Sequence, residues 1–237
     1  MYAIALTSIP PRLPRLAPVL AHLLAQRPAP ARVLLCLPRR WQRFDTSPDL
    51  PDLPPGVEVI RGGTDMGPAT KAIVPARALA GRIKHLIYCD DDWLMPPGWA
   101  AALLAAARPG RAVAASGVAV SRLKRRSHRT GPRDGDADIA QGYAGVLVDP
   151  AWLCPPDIAP PTVAWPVDDI WLSGQLARQG IGLRLAPDAR AGMRLAFTDD
   201  HALQDAVIGG RRRHAANLAC CDLLTERYGL WPPQGMT

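Results

Sequence analysis

Three consecutive aspartates, Asp90, Asp91 and Asp92, directly follow the apolar segment 85–89. Carboxylates crowded together where a buried strand ends repel one another and resist the loss of water, so they destabilise a fold unless a cation offsets their charge. Hard cations such as Mg²⁺ and Mn²⁺ take oxygen ligands, commonly one or two carboxylates together with water and substrate phosphates. The triplet therefore predicts a divalent-metal site for a nucleotide diphosphate. The alternative is a solvated turn in which Asp90 or Asp91 caps the next helix.

The elements that must position these aspartates alternate between strand and helix. Short apolar runs predict strands at residues 2–6, 32–37, 57–60 and 85–89, and apolar residues at helical spacing predict helices at 13–26 and 71–80. This alternation favours an α/β fold with a mostly parallel sheet and helices on both faces. Ligands of such sheets bind beyond the carboxyl ends of the strands, where Thr7, Ser8 and the aspartate triplet fall.

The second half of the chain is less regular. Strands are predicted at residues 112–120 and 143–148, a polar and basic loop at 122–138, and a final helix at 215–228. Another helix is predicted to begin at Asp168 or Asp169, either of which is a candidate N-cap, and to end at Gly180.

Composition limits the class of protein. The 237 residues include 28 basic and 21 acidic side chains, and the formal charge of +7 attracts nucleotide diphosphates, lipid phosphates or nucleic acid. Five cysteines without a CxxC spacing argue against a disulfide framework and a structural metal cluster. No basic region precedes the first apolar run, and no apolar stretch reaches about 20 residues, so we expect neither a secretory signal nor a membrane span.

Several segments, taken together, resemble glycosyltransferases with the GT-A fold, of the bacterial family 2 or exostosin type. Segment 88–93, Tyr-Cys-Asp-Asp-Asp-Trp, resembles their Asp-x-Asp region, and segment 6–12 resembles their first strand and loop. Segments 67–71, 142–145 and 166–171 are similar, in order, to the region of the donor-binding lysine, the acceptor-side glycine-rich strand and the acidic motif of the acceptor-side helix. The likeness runs from about residue 2 to residue 179, and the C-terminal part matches no motif firmly.

The resemblance implies a single domain over residues 1–237, with a nucleotide-sugar-binding half at 1–110 and an acceptor-binding half at 111–237. It implies a hexosyltransferase that uses Mn²⁺ or Mg²⁺ and a nucleotide-diphosphate sugar, most directly a UDP-sugar. The acceptor would be a glycan or a lipid-linked acceptor of bacterial polysaccharide synthesis. The metal ligands would be Asp92 and Asp90, and the donor contacts would be Thr7, Ser8, Arg12, Lys71, Asp90 and Asp91.

The second acidic pair, Asp168 and Asp169, has two interpretations. A helix N-cap accounts for only one of the two side chains. In an inverting transferase, a carboxylate takes the proton from the acceptor hydroxyl as that oxygen attacks the anomeric carbon. Asp169 is the candidate for this catalytic base, with Asp168 beside it. In the family that the sequence resembles, the same motif also recurs in retaining transferases, where its carboxylate has another role. Both inversion and retention at the anomeric carbon therefore stay open.

Lys71, and then Arg12, are the cations expected to stabilise the departing nucleoside diphosphate. Lys71 could instead be a solvated lysine at a helix start, although a cation is disfavoured there, which favours an anion nearby. His201, after Asp199 and Asp200, either completes the metal shell or lies exposed at the start of a capped helix.

Two basic clusters remain: Arg122, Lys124, Arg125, Arg126, Arg129 and Arg133 in one, and Arg211, Arg212 and Arg213 in the other. Most charge runs are solvated faces. The alternative is a mobile loop that closes over the donor phosphates or meets an anionic lipid-linked acceptor at the membrane. We therefore expect a cytoplasmic protein that can lie peripherally at the inner face of the membrane.

Three other functions fit parts of the sequence. A sugar nucleotidyltransferase shares the sheet and the metal-binding carboxylates, but usually has a glycine-rich loop after its first strand, and segment 7–12 contains no glycine. A nucleic-acid-binding domain fits the arginine clusters but not the acidic pockets, so no nucleic acid partner is expected. A non-catalytic domain that binds the donor without turnover is the third.

Overall fold

The computed structural model describes residues 1–45, 48–127, 137–203 and 205–235. The strands are β1 (Tyr2–Leu6), β2 (Arg32–Leu37), β3 (Val57–Arg61), β4 (His85–Tyr88), β5 (Trp93–Leu94), β6 (Arg111–Ala114), β7 (Gly117–Val118), β8 (Ile139–Ala140), β9 (Val146–Val148), β10 (Gly182–Leu185) and β11 (Arg194–Leu195). The helices are α1 (Ala17–Leu24), α2 (Thr70–Leu79), α3 (Trp99–Ala105), α4 (Asp168–Ala177) and α5 (Arg213–Tyr228).

A seven-stranded sheet has the strand order β10-β6-β9-β4-β1-β2-β3. Its neighbouring strands are parallel except at β9, which is antiparallel to both β4 and β6. Two short antiparallel ribbons, β5 with β11 and β7 with β8, lie outside this sheet. The predicted α/β fold with a mostly parallel sheet flanked by helices is confirmed.

The sheet lies between two layers of helices. Ala3 and Ala5 of β1 pack in the cluster that includes residues of α2, α4 and α5, whereas Ile4 and Leu6 pack with α1 and α3. Since successive side chains of a strand point to opposite faces, a strand covered on both faces is apolar throughout, as β1 is. Full burial of a leucine or isoleucine contributes about 1.5–3 kcal/mol, so these two apolar layers hold the sheet in place.

Most of the predicted elements agree with the structure, and the differences have local causes. The helix predicted at 13–26 begins with a 3-10 turn, Pro10–Arg15, because its prolines have no N–H for helical hydrogen bonds. The strand predicted at 143–148 shortens to β9 because a 3-10 turn, Gly142–Ala144, precedes it. The strand predicted at 112–120 divides into β6 and β7, and β10 was not predicted.

Strand register brings the first and fourth strands to a common edge. Ala5 of β1 pairs with Tyr88 of β4, so the loops that follow both strands emerge side by side. Near this edge Gly145 has a φ of +99°, and a Cβ there would lie 2.3 Å from Cζ2 of Trp99. Gly145 is therefore required both by its backbone conformation and by the close approach of the indole ring.

Within the described ranges, none of the helices combines the length and the apolar character that crossing a bilayer requires.

Candidate active site

A cleft of about 840 Å³ lies at the carboxyl ends of β1 and β4. It is lined by all the residues predicted for catalysis, donor binding or metal binding: Thr7, Ser8, Arg12, Lys71, Asp90, Asp91, Asp92, Asp168, Asp169 and His201. The fold thus brings together side chains from the segment after the first strand, the second helix, the aspartate triplet, the fourth helix and the late loop.

Asp91 is the buried member of the triplet, with only 6% of its side chain exposed. Ser8 Oγ donates to Asp91 Oδ2 at 2.5 Å, and Arg12 Nη1 donates to Asp91 Oδ1 at 2.7 Å. Burial raises the pKa of Asp91, and the hydrogen bonds and the charge of Arg12 oppose that rise. Because both of its oxygens have protein partners, Asp91 joins the loops after β1 and β4. Its direct contact with a donor stays a prediction.

Arg12 lies among three carboxylates. Its Nε and Nη2 donate to Asp199 at 2.7 and 3.1 Å, and its Nη1 lies 3.5 Å from Oδ2 of Asp92. Burial lowers the pKa of Arg12, but the hydrogen bonds and charges of these carboxylates raise it by more. The pKa of Arg12 therefore lies above its usual value. Binding of the donor diphosphate by Arg12 stays a prediction, and in this geometry it would require Arg12 to leave one of its carboxylate partners.

Lys71 is a buried ion-pair partner and not a solvated lysine, so that alternative is wrong. Its side chain is 2% exposed, and Nζ donates to Oδ1 of Asp90 and to Oδ2 of Asp168, each at 2.6 Å. Burial lowers the pKa of Lys71, but the nearby carboxylates raise it well above its usual value. Lys71 therefore connects the end of β4 to the start of α4, and its contact with donor phosphates stays a prediction.

Asp169 is held in place by the backbone of the glycine-rich turn. The N–H of Gly142 donates to Oδ1 of Asp169 at 2.8 Å. A Cβ at Gly142 would lie 2.9 Å from Lys71 Nζ and 3.1 Å from this oxygen, so the turn leaves no room for a side chain. Burial and then the charge of Asp168 raise the pKa of Asp169. This is the direction that adapts a carboxylate to general-base catalysis near neutral pH.

The N-cap interpretation of the second acidic pair is wrong. The N-cap of α4 is Val167, and no side chain provides a capping hydrogen bond there. Asp168 and Asp169 lie in the first turn, where the helix dipole favours negative charge.

Asp92 is the member of the triplet with a buried oxygen, Oδ1, that has no hydrogen-bond partner among the described residues. Burial, followed by the charges of Asp90 and Asp91, raises the pKa of Asp92 to about 7. An ion bound to Oδ1 would satisfy this oxygen, so the site fits a divalent cation. Across the described ranges, no three or more His, Cys, Asp or Glu side chains form a ready-made metal cage.

His201 lies in a turn, and the helix start considered for it is absent from the described part of this segment. Its backbone N–H donates to Oδ1 of Asp199 at 2.9 Å, and its ring packs edge-on against Phe44, with centroids 5.8 Å apart. Arg43 donates to its carbonyl at 3.3 Å. His201 therefore lines the cleft, and its role as a metal ligand stays a prediction.

The residues of the two basic clusters differ in burial and in their contacts. Arg125 is buried and forms an ion pair with Asp222, so its assignment to a solvated loop is wrong. Arg122 and Arg213 line the cleft. Lys124, Arg126, Arg211 and Arg212 are exposed, and Arg129 and Arg133 lie outside the described residues.

Sequence reasoning did not identify Asp65, which fixes the turn before α2. Its Oδ1 accepts from the N–H of Gly67 at 2.8 Å, and its Oδ2 accepts from the N–H of Gln42 at 2.7 Å. Trp165 Nε1 donates to the Asp65 carbonyl at 3.1 Å. An aspartate two residues before a glycine is typical of a turn held by its own side chain, and this signal could have identified it.

Comparison of the sequence with protein-family models and with curated proteins finds no match. Among solved structures, glucosyl-3-phosphoglycerate synthase from Mycobacterium tuberculosis in complex with Mg²⁺ and UDP is similar with a TM-score of 0.53. The two are 11% identical, over 97% of this chain and 80% of that one. The same synthase with Mn²⁺, UDP and glucosyl-3-phosphoglycerate gives a TM-score of 0.51, with the same identity and coverage. The galactosyltransferase LgtC, with donor and acceptor sugar analogues, gives 0.46 at 13% identity, over 97% of this chain and 95% of that one. The likeness to the synthase is one of fold, and together with the sheet order it identifies this chain as having the GT-A fold.

Proposed function

We propose that this protein is a metal-dependent hexosyltransferase that moves a sugar from a nucleotide-diphosphate sugar, most directly a UDP-sugar, to a glycan or lipid-linked acceptor. The supporting observation is that one cleft is lined by the aspartate triplet after β4 and by the pair at the start of α4. Donor-side and acceptor-side carboxylates therefore border one reaction space. The UDP and Mn²⁺ or Mg²⁺ held by the similar synthase structures are consistent with this choice of donor and metal.

On the donor side, Asp92 would hold Mn²⁺ or Mg²⁺ through its unused Oδ1, with Asp90 beside it and His201 from the late loop. When bound, the ion would neutralise the charge that develops on the departing diphosphate. Thr7 and Ser8, in the loop after β1, would border the nucleoside. Asp91 would keep this loop beside the triplet through its bonds to Ser8 and Arg12.

On the acceptor side, Asp169 would take the proton from the attacking hydroxyl. The Gly142 N–H holds Oδ1 of Asp169, and Oδ2 has no hydrogen-bond partner among the described residues, which leaves it to receive the proton. The raised pKa of Asp169 makes it a stronger base than an ordinary aspartate. Asp168 would act indirectly, because its ion pair with Lys71 fixes the start of α4.

We further propose that the enzyme works in the cytoplasm, peripherally at the inner face of the membrane, in bacterial polysaccharide synthesis. The formal charge of +7 and the exposed arginines and lysine support attraction to an anionic surface. Co-sedimentation with anionic and neutral vesicles tests the membrane contact, and equal binding to both would contradict it.

The donor assignment is tested by thermal unfolding with UDP, GDP, CDP and dTDP, each with and without Mn²⁺. A ligand present at 100 times its Kd stabilises the fold by about 2.7 kcal/mol, or about 5–10 °C for a chain of this size. Asp92→Asn should abolish the metal-dependent shift, whereas Asp169→Asn should retain it and lose turnover. If no nucleotide raises the melting temperature with Mn²⁺ present, or if Asp169→Asn is fully active, the proposal fails.

A further inference from the structure

Three arginines that line the cleft, Arg43, Arg122 and Arg213, have no carboxylate ion-pair partner among the described residues. Arg122 lies in the 3-10 turn Val120–Leu123, and Arg213 is the first residue of α5. We propose, resting on the function proposed above, that Arg122 and Arg213 form a subsite for an anionic group of the acceptor, a phosphate or a carboxylate. The enzyme would then select acceptors that carry a negative charge near the reacting hydroxyl.

The other cations of the cleft are differently placed. Arg12 and Lys71 are bound to carboxylates, so their charges are already neutralised. Arg43 already donates from both Nη1 and Nη2 to the His201 carbonyl, at 3.3 Å each, and its charge is influenced by Arg12, Asp199 and Asp65. Positive charge for an acceptor therefore comes from Arg122 and Arg213.

Both arginines are connected to the segments that hold Asp169. Arg213 Nη1 donates to the carbonyl of Pro166 at 2.6 Å, just before α4 begins, and this bond leaves the rest of its guanidinium for a ligand. Arg122 follows β7, which pairs with β8, and β8 leads directly to Gly142. An anion held by these two side chains would therefore lie on the side of the cleft where Asp169 meets the acceptor.

Nearby carboxylates do not account for the positive charges of Arg122 and Arg213. Asp138 is the nearby carboxylate of the β7–β8 region, and its oxygens already accept from the Val120 N–H and the Ser127 hydroxyl. The first turn of α5 contains no acidic residue. Since a cation at a helix N-terminus is disfavoured by about 0.3–1 kcal/mol, Arg213 does not stabilise this helix by its charge. The bond to the Pro166 carbonyl fixes the Arg213 side chain, and its charge borders the cleft.

Asn217 supports the same assignment. It lies one helical turn after Arg213, on the same face of α5, and also lines the cleft. Its Oδ1 is buried without a hydrogen-bond partner among the described residues, so it can accept a hydrogen bond from an acceptor hydroxyl. The subsite thus offers two cationic groups for an anion and one acceptor atom for a sugar or polyol hydroxyl.

The test is calorimetric titration of the protein already saturated with UDP and Mn²⁺, so that the donor site is filled. The probes are matched pairs: glycerol 3-phosphate against glycerol, and glucose 6-phosphate or glucuronate against glucose. We expect the charged member of each pair to bind at least tenfold more tightly. Arg122→Gln and Arg213→Gln should each weaken that binding by about tenfold, because each removes a hydrogen bond to a charged group. Arg213→Lys should retain part of it.

Arg211→Gln is the matched control, since it removes the same charge from the same cluster without changing a residue that lines the cleft. Charged probes that bind no more tightly than neutral ones, or an equal loss in Arg211→Gln, would overturn the subsite. Vesicles with and without phosphatidylglycerol, added to the same variants, distinguish a lipid-borne anion from a soluble one. Failure of UDP, GDP, CDP and dTDP all to bind with Mn²⁺ would refute the proposed function, whereas nucleotide binding without a charge preference would refute only the subsite.

Discussion

Replacement of Asp92 by asparagine is expected to raise the free energy of unfolding of the metal-free protein at pH 8. Burial and the charges of Asp90 and Asp91 raise the pKa of Asp92 to about 7 in the folded protein. The unfolded chain has an aspartate pKa of about 4, so the ionised side chain destabilises the folded state by up to roughly 4 kcal/mol. Because 24% of the side chain is exposed and water offsets part of this effect, we expect a gain of about 2–3 kcal/mol.

The sign of this effect depends on pH. A carboxyl group whose pKa is raised in the folded state contributes stability that is fully present below the unfolded pKa of about 4 and is lost as the pH rises through about 7. Asparagine cannot ionise, so its advantage over aspartate should shrink by more than half between pH 8 and pH 5. The structure thus predicts a substitution that stabilises the protein while it removes metal-dependent donor binding.

Urea unfolding followed by tryptophan fluorescence, with a chelator present at pH 8 and pH 5, measures this difference. Asp157→Asn is the control, because Asp157 is an exposed aspartate whose pKa is lowered by its hydrogen bonds from Arg178. That substitution should not stabilise the protein at either pH. If Asp92→Asn is no more stable than the wild type at pH 8, or if its advantage is the same at pH 5, the electrostatic account of Asp92 is wrong.

Three further outcomes follow from the same contacts. Lys71→Met should lower the free energy of unfolding by about 3–5 kcal/mol in urea titrations, because it leaves two carboxylates without their buried partner; stability equal to wild type would contradict this. Gly145→Ala should lower the melting temperature more than Gly81→Ala. Both glycines have a positive φ, but the Cβ at residue 145 would meet the Trp99 ring whereas the one at residue 81 meets no atom within 4 Å; equal losses would refute that contact. In a pH–rate profile, kcat should fall as the pH is lowered through the raised pKa of Asp169, because the protonated acid cannot accept a proton; a flat acidic limb would exclude Asp169 as the base.

The central strands and the residues that follow them could be predicted from the sequence for a physical reason. Strands β1 and β2 are covered on both faces, so they are continuous apolar runs with clear ends. Polar residues just beyond those ends, such as Ser8 and Asp91, lie at the ligand-binding edge of any parallel sheet. Their meeting in one cleft depends only on strand order and direction.

The partners of the cations could not be predicted in the same way. Arg12 binds Asp199, which is 187 residues away, and Lys71 binds Asp168, which is 97 residues away. Such pairs depend on how the late loop and α4 pack against the sheet, and no local pattern encodes that packing. Strand β10 was missed for a related reason, because a four-residue segment at the edge of a sheet carries too few residues for a periodic signal.

Part of the positive charge that stabilises the aspartate triplet comes from side chains of the protein itself. Arg12 neutralises Asp91 and Lys71 neutralises Asp90, so the site keeps its shape without an ion. Arg12 and Lys71 nevertheless face six carboxylates, those of Asp90, Asp91, Asp92, Asp168, Asp169 and Asp199. Burial, followed by the charges of Asp90 and Asp91, raises the pKa of Asp92. A diphosphate would add further negative charge beside Asp92, where Coulomb repulsion is strong because water is largely excluded. Donor binding should therefore depend on a divalent ion held at the unused oxygen of Asp92, and a nucleotide that bound equally well with and without that ion would show that another part of the cleft holds the phosphates.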